Sequence, residues 1–105
     1  MFSGGDYAEV GRWLNNFVVS HGKREDPRAE AIVDAEGPRT GQSYGIRMVL
    51  GERVMPPLDR PSLELTYAEA AKERGGLAWC ETWAERVRAL VRELRRADRG
   101  VQTPA

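Results

Sequence analysis

The longest amphipathic run in the chain is Leu77 to Ala97. At 100° per residue, Leu77, Trp79, Cys80, Trp83, Ala84, Val87, Leu90, Val91, Leu94 and Ala97 fall within one arc of about 160°. Glu81, Glu85, Arg86, Arg88, Arg92, Glu93, Arg95 and Arg96 fill the opposite half. A surface helix packed on one core needs a stripe of only about 100°. The surplus predicts a helix covered from two directions, by two parts of its own domain or by a partner.

A first helix is expected from Asp6 to Ser20, with Tyr7, Val10, Trp13, Leu14, Phe17 and Val18 on one face. Asp6 followed by Glu9 resembles a capping box, and Gly22 is read as the C-terminal stop. Arg28 to Glu36 then alternates, with Ala29, Ala31, Val33 and Ala35 on its inner side, as a half-exposed strand does. Ser43 to Leu50 is a second strand, with Tyr44, Ile46, Met48 and Leu50 facing inward. Gly51-Glu52 fits a type II′ hairpin loop, which returns the chain as a third strand over 53–55. Pro56-Pro57 ends that strand and confines it to an edge. Ser62 to Leu65 is either a short fourth strand or a loop. Thr66 to Glu69 is a capping box for a short helix, which Gly75-Gly76 breaks before the long one begins.

Together these elements predict one α+β domain over residues 1–99, with a flexible tail over 100–105. Its antiparallel sheet has three or four strands, and its helices lie on one face. The alanine-rich inner side of the first strand leaves room for Trp13, Trp79 and Trp83, since bulky residues interdigitate best with small ones.

Composition adds exclusions. The chain has 105 residues, with 16 basic and 16 acidic side chains. Neutral overall, it has no global electrostatic pull toward nucleic acid or acidic membranes. No run reaches the roughly 18 to 20 apolar residues of a membrane span. Met1 to Asp6 lacks the basic flank and apolar stretch of a signal peptide. The lone cysteine, Cys80, suits a reducing compartment. A cytoplasmic protein is expected.

No catalytic or cofactor site emerges. Gly41-Gln42-Ser43-Tyr44-Gly45 matches the G-x-S-x-G hydrolase elbow, but the elbow needs a following helix and a later histidine. The only histidine, His21, comes first. His21 and Cys80 form a conceivable base and nucleophile, yet a thiol in an apolar stripe is usually inert. One histidine and one cysteine fall short of a zinc site. The sequence therefore predicts no enzyme, metal or cofactor.

The arginines form the one concentrated charge. Residues 85–99 carry six arginines against three acids, a net +3. Arg88, Arg92, Arg95 and Arg99 share a narrow sector. Cations there suit the helix dipole, but blocks of like charge also mark interaction surfaces. The order helix, strand, strand, strand, helix resembles a double-stranded-RNA-binding domain, as do Glu36-Gly37-Pro38 and the Gly51 turn. That resemblance implies RNA as an anionic partner for the arginine row. The chain departs from the family in lacking paired lysines at the start of the final helix and a histidine after Gly37-Pro38. Glu69-Ala70-Ala71-Lys72 before Gly75-Gly76 is similar to part of a helix-turn-helix, with Trp79, Glu81 and Trp83 where base-reading groups belong.

The expected function is a non-enzymatic protein-interaction or assembly module, either a homo-oligomer or an accessory subunit. Its expected contact is the apolar surplus at Trp79, Trp83, Leu90 and Leu94. The alternative is a nucleic-acid-binding module using Arg88, Arg92, Arg95 and Arg99.

Overall fold

A computed structural model describes residues 6–102, with side chains described through Ala97. The chain runs α1 (Tyr7–Glu25), β1 (Glu30–Asp34), β2 (Ser43–Leu50), β3 (Arg53–Met55), β4 (Leu63–Thr66), α2 (Tyr67–Glu73) and α3 (Leu77–Gln102). It is an α+β fold in which one antiparallel sheet carries all three helices on one face. Of the tail expected over 100–105, residues 100–102 belong to α3 and residues 103–105 lie outside those described.

The α1 helix starts as its sequence dictates: the Asp6 carboxylate accepts from the Glu9 amide at 2.7 Å. It does not stop at Gly22. That glycine is buried inside the helix, and a Cβ there would lie 2.5 Å from Met48 Cε. A side chain is missing because the helix passes close to the sheet, not because the backbone turns left-handed. The true stop is Asp26, held extended at φ −151° and ψ 118° before Pro27, which disfavours helix in the residue ahead of it.

β2 is the hub of the sheet. β1 pairs along one edge, with Ala31 opposite Met48 and Val33 opposite Ile46. The other edge is shared: β3 pairs with Met48 to Leu50, and β4 pairs with Ser43 to Ile46. Gly51 has φ +63°, and among the described residues no residue other than glycine has positive φ, so Glu52 does not, the combination a type II′ loop needs. The 56–62 connection divides β3 from β4 and includes a cis Met55–Pro56 bond. Arg47 ties it down, donating to the carbonyls of Pro56, Pro57 and Arg60 at 2.7–2.9 Å. The fourth strand leads directly into α2, whose amide at Glu69 donates to Thr66 Oγ1 at 3.1 Å.

Val10, Leu14 and Val18 of α1, Tyr44, Ile46 and Met48 of β2, and Val87, Val91 and Leu94 of α3 form the core. The tryptophans do not fill the space over the alanines of β1. Trp13 stacks on Phe17 and Trp79, with centroids 5.0 and 6.3 Å apart, and Trp79 continues the row to Trp83 at 6.0 Å. The small Ala29, just before β1, instead lets α1 sit close, with its Cβ 3.6 Å from the position a Gly22 Cβ would take.

Candidate functional site

The four apolar residues singled out on α3 divide between core and margin. Trp83 and Leu94 are buried, at 5% and 1% exposure. Trp79 and Leu90 are half-buried and pack against the core. Trp79 Nε1 donates to Glu69 Oε2 at 2.8 Å, and the Arg86 guanidinium covers the Trp83 ring at 4.7 Å. From Trp79 to Leu94 the arc is covered from two directions within one chain, while Leu77 at its start is exposed. The sheet takes one side, and Trp13 of α1 takes the other.

The arginine row is also engaged within the chain. Arg92 and Arg95 converge on the Glu25 carboxylate at 3.0 and 2.8 Å, and Arg95 also donates to the Glu25 carbonyl at 2.8 Å. Arg88 pairs with Glu85 at 3.1 Å, and Arg92 reaches the same carboxylate. Hydrogen bonds from Arg88 and Arg92 hold the Glu85 carboxyl below its ordinary range. The Arg99 side chain lies outside those described. Reading Gly22 as a helix stop hid the clamp, because the extra helical residues carry Glu25 to the arginines. A charged pair, Glu25-Asp26, directly before Pro27 was the available signal.

Two open clefts flank α1, each of about 540 Å³. One lies between α1 and β1. Ala8, Gly11, Arg12, Asn15 and Asn16 line its helix side, and Val33, Ala35 and Glu36 line its strand side. β1 is an edge: it pairs with β2, and no described strand lies along its other side. Ile32, on the sheet face away from the helices, is 42% exposed. The same face carries Arg39, which lies across Gly45 and binds Asp34 at 3.0 Å, Ser62 Oγ at 3.1 Å and Glu64. Gly45 is therefore a bed for a guanidinium, and Ser43 sits at the start of β2 rather than on a strand-to-helix elbow.

The second cleft lies between α1 and α3 and brings His21 and Cys80 to one place, together with Arg24, Leu77, Glu81 and Arg88. Burial pushes the Cys80 thiol up, and Sγ donates to the Arg74 carbonyl at 3.3 Å, so the sulfur is held as a neutral thiol. Among the described residues, no three His, Cys, Asp or Glu side chains cluster as metal ligands, and no helix is long and apolar enough to cross a membrane. No known protein family matches the chain, and neither a curated protein nor a solved structure matches it.

Proposed function

We propose that this chain is a non-catalytic protein-interaction module, an accessory subunit that adds an extended segment of a partner protein to the edge of β1. One observation carries the proposal: an unpaired strand edge borders an open groove walled by a helix. Strand addition uses this geometry, with main-chain hydrogen bonds supplying affinity and the groove reading alternate side chains. Ala8 and two asparagines keep the helix wall low and able to hydrogen-bond.

Charge selects the occupant. Glu30, Asp34 and Glu36 line up on and beside β1. Pairing β1 with a second copy centred on Ile32 sets Glu30 against Asp34, and centring on Val33 sets Glu30 against Glu36. Like charges directly opposite are destabilising, and charged edges guard against self-association. A segment with basic residues at alternate positions and small apolar ones between them fits instead. Its basic groups meet the acids, and its apolar groups enter the groove beside Val33 and Ala35. A cytoplasmic setting is part of this reading and rests on the lone, neutral thiol of Cys80.

The test is an amide-resonance titration with a short peptide alternating lysine and valine. Saturable shifts confined to residues 30–36 and to 8–16 are expected, with slowed amide exchange in β1. Exchanging the exposed Glu30 and Glu36 for lysine should abolish binding without unfolding the chain, since Asp34 is already paired with Arg39. Shifts along Arg88 and Arg92 with an RNA duplex, and none in β1 with the peptide, would defeat this reading.

A further inference from the structure

The cleft between α1 and α3 gathers cationic groups around the only histidine in the chain. We propose that it is a binding site for a phosphate group, held by Arg24, Arg88 and the His21 imidazole. Arg24 is exposed and has no ion-pair or hydrogen-bond partner among the described residues. Arg88 is half-buried and, among the described residues, pairs with the Glu85 carboxylate alone. His21 Nδ1 is buried without a hydrogen-bond partner among the described residues, so Nε2 is the ring nitrogen that can meet a ligand in the cleft. Burial, Arg24 and Arg88 in that order hold the ring below its ordinary value. Two guanidiniums that disfavour imidazolium gain nothing for the fold by crowding it. A dianion between them reverses the sign of that interaction and offers three oxygens to three donors.

The remaining lining defines the rest of the ligand. Leu77, 75% exposed, forms an apolar wall with Cys80 and Ala84. A cleft of about 540 Å³ accommodates a small organic molecule. Glu81 is the opposing charge on this lining, and Glu85 competes for Arg88. The site is independent of the β1 edge, so either assignment stands if the other fails.

The ring signal of His21, the only imidazole present, is the readout. It is followed across pH with inorganic phosphate and with phenyl phosphate, against sodium chloride at matched ionic strength. Either phosphate should shift the signal saturably and raise the His21 pKa by about one unit, a tenfold preference for the protonated ring. Arg24→Gln and Arg88→Gln should each weaken binding about tenfold, and Glu81→Gln should tighten it. Tighter binding of phenyl phosphate assigns a phosphorylated organic molecule, and equal binding assigns free phosphate. No shift beyond the chloride control overturns the site. So does unchanged binding in both arginine variants with their far-UV circular dichroism intact.

Discussion

The two ends of α1 are fastened by opposite chemistries. At the N-terminal end, the Tyr7 and Tyr44 rings stack at 4.7 Å, and Tyr67 meets Tyr7 edge-on at 5.9 Å. Their hydroxyls close the joint: Tyr44 Oη donates to the Tyr7 carbonyl and Tyr7 Oη to the Ser43 carbonyl, both at 2.6 Å. At the C-terminal end, Gly22 admits Met48, Glu25 receives two arginines, and Asp26 binds the Arg28 amide and guanidinium at 3.0–3.2 Å. One end is buried aromatic surface with satisfied hydroxyls, and the other is close packing ringed by charge. The same helix should therefore fail differently at its two ends, in alkali at one and in acid or salt at the other.

The largest effect is expected at Gly22. Gly22→Leu should destabilise by about 3 kcal/mol by overpacking against Met48, Ala29 and Val91. Gly22→Ala should stay within about 1 kcal/mol, because the flexible Met48 methyl can move and alanine favours helix. Denaturant titration of both variants checks this. Equal costs would mean that the position is set by backbone conformation rather than by space.

Tyr44→Phe should cost about 1–2 kcal/mol by removing the buried hydrogen bond from its hydroxyl to the Tyr7 carbonyl. Burial, with Tyr7 and Tyr67 adding, pushes Tyr44 up to about 12. The fold thus favours the protonated phenol. Its contribution is full below pH 10 and is lost as pH rises from 10 through about 12. The phenylalanine variant should lack that alkaline step.

The acid side tests the other end. Hydrogen bonds from Arg28, side chain first and then backbone, lower Asp26 to about 2. Its stabilisation is full above the ordinary value of 3.8 and is lost as pH falls toward 2. His21, held below 6.5, adds a shallower loss that begins as pH drops under that value, since the unfolded chain protonates first. Asp26→Asn should remove the lower step, and His21→Gln the upper one. Stability that is flat from pH 7 to 3 in the unmodified protein would break the comparison.

The smallest effect belongs to Glu25→Gln, about 1 kcal/mol, because Arg92 and Arg95 keep partial exposure. Added salt should narrow the gap between variant and parent. A gap independent of salt would mean that Glu25 acts by packing.

Much of this architecture was legible in the residues. Asp6 and Thr66 have side chains that cap a helix whatever surrounds them, and both helices start there. Tyr44, Ile46, Met48 and Leu50 alternate without interruption, and all four are buried. Gly51-Glu52 carries its turn type in its own backbone preference. Gly22 was not legible in this way, because glycine ends helices and also admits close packing. Local sequence does not distinguish those two uses.

The same limit applies to the candidate sites. Alternation marked β1 as half-exposed, and the acids at 30, 34 and 36 were visible. That no described strand lies beyond β1 depends on the chain order in space. Local order, capping, turn type and the buried face of each element follow from nearest-neighbour sterics, hydrogen bonding and the periodicity of apolar positions, so the sequence alone determined them. Three features instead join residues far apart in the chain. Glu25 receives Arg92 and Arg95, His21 shares a cleft with Cys80 and Arg88, and Trp13 stacks on Trp79 at the margin of the apolar arc of α3. Only the tertiary structure decided those, because how far α1 extends and how it lies across α3 are fixed by packing of the whole core.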